Sequence, residues 1–287
     1  MLLPTITLSQ NLESVQRDIQ SIVKPVQGIF AVAFESLDGK AHLFLNEKMM
    51  FHAASTMKTP VMIEVFKQSR EGRFSLDDSL VVRNEFKSIV DGSSFQLDLK
   101  DDSDDSMYKK LGAKASIREL LRQMITVSSN LATNLLMDLA EARNVTATMR
   151  SLGASDIEVL RGVEDGKAFE KGLNNRTTAF DLLLIMKAIS AGKAVDTAAS
   201  QEMLEILLKQ KFNELIPSLL PADVRVAHKT GNITGVEHDS GIVLLPDGRR
   251  YVLVILSKEL KDVEAGKKAI ALISKRIFDF MMEARGT

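Results

Sequence analysis

Two hairpin patterns lie at opposite ends of the chain, and they constrain its fold more than any other feature. Each is an Asp-Gly pair, Asp38-Gly39 or Asp247-Gly248, flanked by apolar runs. The four runs are 28–34, 41–45, 240–245 and 251–256. An Asp-Gly pair between apolar runs is a strong signal for a tight hairpin turn. With 225–228 as a further strand, the chain ends predict about five strands, most of them antiparallel neighbours.

The middle of the chain, from about residue 50 to 205, has almost entirely helical patterns. Ser116 and Glu119 form a capping box before one apolar stripe. Helices are also predicted near both chain ends, over 12–23 and around Ile270, Ile273 and Ile277.

These patterns together predict an α+β fold with two domains. Both chain ends, 1–48 and 205–287, would form an antiparallel five-stranded sheet flanked by the terminal helices. Residues 49–204 would form an inserted all-helical domain. A cleft between two such domains is a common place for a small-molecule site.

The composition bounds the partners. The formal net charge of -1 over 287 residues gives no reason to expect nucleic acid. The absence of cysteine excludes disulfides and thiolate-zinc sites. No apolar stretch approaches the roughly 20 residues of a membrane span. We expect a monomer that uses no metal and no cofactor.

The N-terminus leaves the localisation open. Residues 1–8 lack a basic region and a small-residue cleavage site, so no signal peptide is visible. The chain could be cytoplasmic, or it could be a mature periplasmic or secreted form without its leader.

Some polar residues are expected to be structural. The acidic run 98–105 lacks the glycine and the closing glutamate of an EF-hand loop, so we interpret it as a solvated loop. His228 is interpreted as a packing residue in a strand and His238 as a turn residue. Metal binding is not expected at either histidine.

The first candidate motif is Ser55-x-x-Lys58. Pro60 is acceptable only near the first turn of a helix, so a helix should begin close to Ser55. The spacing puts Ser55 and Lys58 on one helical face, where a neutral lysine could take the proton of the hydroxyl. The same pattern also begins at Ser21, Ser106 and Ser190, so alone it equally describes a helix start with a solvated lysine.

The second motif, Ser128-Ser129-Asn130, precedes another helical stripe. Ser128 would either cap this helix or relay a proton towards a leaving group. Asn130 would hydrogen-bond a substrate carbonyl. Asn134, one turn later, is predicted to anchor a neighbouring loop.

The third motif is Lys229-Thr230-Gly231, at the end of a predicted strand. The lysine would attract a substrate carboxylate and the threonine hydroxyl would bind it. Glycine would let the substrate lie along the strand edge. The alternative is simply a strand that runs into a turn.

In this order and spacing, the three motifs resemble those of class A β-lactamases and their relatives among the penicillin-recognising serine hydrolases. The similarity covers nearly the whole chain and implies a β-lactamase/transpeptidase-like fold. It also implies that the substrate is a β-lactam or a D-amino-acyl peptide. By that resemblance Ser55 is the nucleophile, and Lys58 and Ser128 move protons.

The resemblance also implies how substrate is held. The oxyanion hole would be the backbone N–H groups of Ser55 and Asn232. The groups that hold substrate would be those of Asn130, Lys229, Thr230 and Gly231.

Two departures from the family pattern leave the rate of acyl release open. Ser129 stands where the family usually has aspartate. The deacylating glutamate would be Glu164, by its distance from Gly153, or Glu170, which with Asn174 fits the letters Glu-x-x-x-Asn, or neither. The sequence is therefore compatible with a β-lactamase, with a D,D-peptidase or esterase of weak β-lactamase activity, and with a penicillin-binding module that stays acylated.

Overall fold

The computed structural model describes the chain from residue 8 to residue 283, so the expectation about residues 1–7 lies outside the described residues. The strands are β1 (Ile29–Ser36), β2 (His42–Leu45), β3 (Phe51–His52), β4 (Ser79–Val81), β5 (Phe86–Lys87), β6 (Ser94–Phe95), β7 (Lys114–Ser116), β8 (Arg176–Thr177), β9 (Arg225–Ile233), β10 (Val236–Leu244) and β11 (Arg250–Lys258). The α-helices are α1 (Leu8–Val23), α2 (Lys58–Arg70), α3 (Ile117–Thr126), α4 (Asn130–Ala140), α5 (Ala142–Ser151), α6 (Gly166–Glu170), α7 (Ala179–Ser190), α8 (Thr197–Leu207) and α9 (Val263–Glu283). Short 3₁₀ turns lie at Ala54–Met57, Leu99–Asp101 and Tyr108–Lys110.

The predicted sheet is confirmed. Five antiparallel strands lie in the order β2-β1-β11-β10-β9. Both Asp-Gly hairpins form, with Phe34 opposite Leu43 in one and Ile242 opposite Val252 in the other. β1 pairs with β11, so the two ends of the chain meet in the centre of the sheet and β9 is left at one edge.

The terminal helices cover one face of this sheet. α1 packs against α9, and Phe34 contacts Tyr251 and Phe280 edge to face, with ring centroids 5.6 and 6.2 Å apart. Burial of each such side chain contributes about 1.5–3 kcal/mol. The opposite face packs on the helical segment, so the sheet separates two hydrophobic cores.

α2 is the central helix of the second core. It is buried on nearly every side, including Val61, Ile63 and Phe66, as well as the polar Glu64 and Gln68. Gln68 Nε2 donates to Glu64 Oε1 at 2.7 Å, so these two buried polar side chains pair with each other. The 3₁₀ turn that precedes it contacts β9. The first motif is thereby brought to the edge of the sheet that carries the third.

The segment from residue 50 to 205 is less purely helical than its sequence predicts. Three two-stranded ribbons lie within it, formed by β3 with β8, β4 with β7 and β5 with β6. Strands of two or three residues are too short to show a period-2 pattern, so sequence periodicity cannot reveal them.

The division into two domains stays a prediction, and its boundary at residue 205 would fall inside α8 (Thr197–Leu207). A boundary after residue 207 would keep that helix whole. Within residues 8–283, none of the helices has the length and apolarity needed to cross a bilayer.

Candidate active site

Ser55 lies in the 3₁₀ turn before α2, half-buried at the mouth of a cleft of about 490 Å³. Ala54 just before it has φ +45°, a conformation that costs an L-residue about 1–2 kcal/mol. The Ala54 N–H donates to Nδ1 of His52 at 2.9 Å. Burial and the nearby Arg161 lower the pKa of His52, which keeps that nitrogen an acceptor. The turn that presents Ser55 is thus held by a neutral histidine.

Lys58, one turn later, is completely buried. Its Nζ donates to the Ser128 carbonyl at 2.6 Å, to Ser128 Oγ at 3.0 Å and to Asn130 Oδ1 at 2.9 Å. Burial lowers the pKa of Lys58 to about 7, although the carboxylates of Asp102 and Glu164 act to raise it. Near neutral pH a large fraction of this amine is therefore unprotonated and able to accept a proton.

Ser128 lies between two lysines. Lys229, also fully buried, donates from Nζ to Ser128 Oγ at 3.1 Å and to the Thr230 carbonyl at 2.9 Å. Burial lowers the pKa of Lys229, and the nearby Lys58 lowers it further. A hydroxyl can accept from an ammonium and donate to a neutral amine, so Ser128 Oγ can pass a proton between the two. Lys58, Ser128 and Lys229 are called the lysine cluster below.

The start of α4 fixes the second motif. Ser129 is the N-cap, and its Oγ accepts from the Ala132 N–H at 3.3 Å. The carboxylate of Asp102 accepts from the backbone N–H groups of Asn130 at 2.9 Å and of Leu131 at 3.0 Å. The expectation of a solvated acidic loop is therefore wrong for Asp102, because the free N–H groups and positive end of a helix attract an anion.

Gly231 is constrained by the packing of the first motif on β9. A Cβ at this position would lie 2.9 Å from the backbone nitrogens of both Ser55 and Thr56. Glycine thus lets residues 52–57, called the nucleophile turn below after the predicted role of Ser55, approach the strand. This reason is additional to the one predicted from sequence. Asn232, the next residue, lines the same cleft as Ser55.

Glu164 faces Ser55 across the cleft. Its Oε1 accepts from Asn130 Nδ2 at 2.6 Å. Burial raises the pKa of Glu164, as do the carboxylates of Asp102 and Asp101, while the bond from Asn130 opposes the shift. A raised carboxyl pKa brings this group closer to the working range of a general base.

The predicted anchoring role of Asn134 is confirmed. Its side chain accepts from the Val163 N–H at 2.7 Å and donates to the Val163 carbonyl at 3.0 Å. Asn134 thus fixes the loop at Val163, the residue before Glu164. Glu164 itself has a φ of +62°. Residues 161–175 are called the Glu164 loop below.

Glu170 is not brought into the cleft. It lies exposed at the end of α6, and Asn174, four residues on, accepts from Arg161 Nη2 at 3.0 Å. Ala168, four residues after Glu164, is buried and has no side-chain amide. Of the two glutamates, only Glu164 lines the cleft with Ser55.

The other polar side chains of the Glu164 loop hold its shape. Asn175 accepts from the N–H groups of Leu160 and Arg161 and donates to the Arg161 carbonyl at 2.9 Å. Asp165 accepts from Ser88 Oγ at 2.9 Å and from the Ile89 N–H at 3.0 Å, which ties the loop to the ribbon of β5 and β6.

The two histidines near the third motif do more than sequence reasoning predicts. His228 is buried, but its Nδ1 lies 2.9 Å from Asp239 Oδ1, so it is a hydrogen-bonded residue and not only a packing one. The interpretation of His238 as a turn residue is wrong. It lies inside β10, because the hairpin turns earlier, at residues 234 and 235.

His238 links β10 to the nucleophile turn. Its Nδ1 accepts from the Ser257 N–H at 3.1 Å, so Nε2 carries the proton and donates to the His52 carbonyl at 2.9 Å. Burial lowers its pKa to about 4, which keeps the ring neutral. No group of three or more His, Asp or Glu side chains within the described residues is placed to hold a metal ion.

Comparison with known proteins gives consistent matches over nearly the whole chain. The model of the family described as "Beta-lactamase enzyme family" matches residues 14–281. A beta-lactamase of Bacteroides uniformis is 24% identical, over 96% of this chain and 94% of its own length. The extended-spectrum beta-lactamase PER-1 of Pseudomonas aeruginosa is 22% identical, over 94% and 88%.

Solved structures share the fold. A beta-lactamase of Sphaerobacter thermophilus superposes with a TM-score of 0.80 at 26% identity, covering 93% of this chain and 96% of its own. A mutant of PBP-A, solved as an acyl-enzyme complex with penicillin G, superposes with a TM-score of 0.80 at 27% identity, covering 98% and 100%.

Proposed function

Because this chain belongs to the beta-lactamase enzyme family, we propose that it is a serine hydrolase that opens β-lactam rings through an acyl-enzyme on Ser55. The observation that carries the proposal is the contact of two buried lysines with one hydroxyl. Lys58 Nζ and Lys229 Nζ lie 3.0 and 3.1 Å from Ser128 Oγ. Lys58 is itself one helical turn after Ser55. Such an arrangement suits the removal of a proton from one group and its delivery to another.

Acylation would proceed through three proton transfers. Ser55 Oγ attacks the lactam carbonyl carbon while neutral Lys58 takes its proton. The backbone N–H groups of Ser55 and Asn232 would hold the oxyanion. As the ring C–N bond breaks, Ser128 Oγ gives its proton to the ring nitrogen and is reprotonated by Lys58, which carries the proton taken from Ser55.

Substrate would be held on both sides of the reacting carbonyl. Lys229 and Thr230 at the edge of β9 would bind its carboxylate, and the absence of a side chain at Gly231 keeps the approach open. Asn130 would donate to a carbonyl oxygen of the acyl side chain. The release step would use Glu164 as the base that takes a proton from the attacking water.

A second function is favoured by the composition of the Glu164 loop. The Glu164 carboxylate has one hydrogen bond from a side chain, that of Asn130. Ala168, four residues later, has no side-chain amide that could help to hold a water. If water is poorly held, deacylation would be slow. The protein would then behave as a D,D-peptidase or esterase with weak β-lactamase activity, or as a penicillin-binding module that stays acylated.

One experiment separates these functions. The protein is mixed with penicillin G, ring opening is followed by absorbance, and the intact protein is weighed by mass spectrometry. Turnover with little adduct supports the β-lactamase. A lasting adduct supports the peptidase or the binding module, and a D-alanyl-D-alanine peptide assay distinguishes these two. No adduct and no turnover would contradict all three.

We also propose that a monomer is the active unit. All side chains of the proposed site come from a single chain, so the geometry needs no contribution from a second copy. Size-exclusion chromatography with light scattering, at a concentration where turnover is measured, tests this. Activity found only in a dimer fraction would contradict it.

A further inference from the structure

A second cavity, of about 130 Å³, opens beside the proposed site at the edge of the sheet. Ser128, Thr230 and Asn232 line it, and so do the charged side chains of Glu214, Glu237 and Lys267. Glu164 and Ser55 line the larger cleft instead. The second cavity therefore lies on the side of Ser128 and Thr230, where the proposed function places the leaving group.

Glu237 is the unusual residue of this cavity. It lies on β10 directly opposite Asn232 of β9, so the two side chains share one face of the sheet. Glu237 as a whole residue is only 7% exposed. Within the described residues, the Glu237 carboxylate accepts no hydrogen bond and has no Lys or Arg nitrogen within 4.0 Å. The Glu237 carboxylate oxygens are not fully enclosed, so this unpartnered group faces the open space of the cavity, where a ligand could pair with it.

The charges around Glu237 do not neutralise its carboxylate. Lys267 is the nearest cation, but its Nζ is already paired with Glu264 at 3.0 Å. Burial raises the pKa of Glu237 to about 7; Glu264 and Glu214 add to this effect and Lys267 opposes it. Three carboxyl groups thus share one ammonium, and a bound cation would be attracted to this place.

We propose that the second cavity is a subsite for a cationic group, such as an ammonium or a pyridinium, on the leaving-group side of the substrate. This inference rests on the proposed function, since it takes the orientation of the substrate from the roles of Ser128 and Thr230. The substrate carboxylate would contact Lys229 and Thr230, and Thr230 also lines the second cavity. A positive substituent a few bonds from that carboxylate would therefore reach Glu237.

Two cephalosporins test the proposal because they share the thienylacetamido acyl group and the ring system. Cephaloridine carries a pyridinium at the C3 methylene, and cephalothin carries a neutral acetoxy group there. The acylation rate is measured as kcat/KM and by intact mass for the wild-type protein and for Glu237→Gln, which keeps the shape and removes the charge. Glu205→Gln, an exposed change on α8, is the matched control.

The proposal predicts that Glu237→Gln lowers kcat/KM for cephaloridine about three- to tenfold, as expected for one lost charge interaction, and leaves cephalothin within about twofold. The loss for cephaloridine should shrink at high salt. Equal effects on both substrates, or no effect on either, would overturn the cationic subsite while leaving the proposed function intact. A wild-type protein that neither turns over nor forms an adduct with either compound would overturn the proposed function, and this inference with it.

Discussion

The lysine cluster and the Glu164 loop both form hydrogen bonds with Asn130 but are built very differently. The cluster joins α2, β9 and the segment before α4, and Ser128 Oγ is contacted from two sides. The loop brings one carboxylate, which has one side-chain hydrogen bond, from Asn130. The side-chain amides of the loop, those of Asn174 and Asn175, bond to residues 160 and 161 and so hold the shape of the loop itself. Under the proposed function, formation of the acyl-enzyme would be specified by several elements, whereas its release would depend on a single residue.

Backbone strain is present on both sides of the cleft. Of the six non-glycine residues with positive φ among residues 8–283, three lie here: Ala54, Ser128 and Glu164. Each costs about 1–3 kcal/mol and persists only where its surroundings hold it. At Ala54 the holding contact is local, from His52 two residues earlier, whereas Ser128 is held by the distant Lys58. The Glu164 loop is held from α4, where Asn134 bonds the preceding Val163 and Asn130 bonds the Glu164 carboxylate.

The largest expected effect is that of Ser55→Ala. It removes the nucleophile, so nitrocefin turnover should fall by on the order of 10⁴-fold or more and no acyl adduct should form. The control is Ser21→Ala, which changes another Ser-x-x-Lys segment, on the exposed surface of α1. Retained turnover in the Ser55 variant would contradict the assignment.

Lys58→Arg tests the cluster next. A guanidinium stays protonated, so it cannot take the Ser55 proton, and kcat/KM should fall about 10²- to 10⁴-fold. In the wild-type protein, kcat/KM should fall about tenfold per unit as the pH drops below about 7, because Lys58, with its pKa near 7, is then protonated. A pH-independent wild-type rate between pH 5 and 8 would show that another group takes the proton.

Gly231→Ala should have an intermediate effect on the acylation side. The added methyl would meet the Ser55 and Thr56 nitrogens at 2.9 Å, so the nucleophile turn must move. A displacement near 1 Å can cost about 10²-fold in rate. Stopped-flow acylation should slow by that order while the far-UV spectrum stays native, and an unchanged acylation rate would show that the turn adapts freely.

Asp102→Asn should have the smallest effect. Loss of the anion at the start of α4 should cost about 0.5–2 kcal/mol of stability, measured by chemical denaturation. Asp102 also raises the pKa of Lys58, so that pKa should fall in the variant. The fall in acylation rate at low pH, which is the acidic limb of the pH profile, should then move to lower pH. The exposed Asp105→Asn is the control; a limb that moves to higher pH would contradict the assigned charge effect.

Sequence reasoning predicted the sheet and its two hairpins, because these depend on local turn chemistry and periodicity. The grouping of the three motifs was implied by the family resemblance. It could not predict Asp102 at the start of α4, since that contact joins residues 28 apart through an irregular loop. Nor could it place His238 inside β10, because the position of that turn is set by pairing with β9. The sequence favoured Glu164 by its distance from Gly153, while Glu170 fitted the letters Glu-x-x-x-Asn. Only the tertiary structure shows that Glu164, and not Glu170, lines the cleft with Ser55.

The central claim, that several elements form the acyl-enzyme and Glu164 alone releases it, is tested most directly by one time course. Glu164→Gln is mixed with penicillin G and the intact mass is followed, with Glu170→Gln as the matched control. The account predicts that the Glu164 variant accumulates a lasting adduct at the Ser55 position and loses turnover about 10²- to 10⁴-fold, while the control behaves as wild type. Unchanged turnover in Glu164→Gln, or accumulation of adduct only in Glu170→Gln, would contradict it.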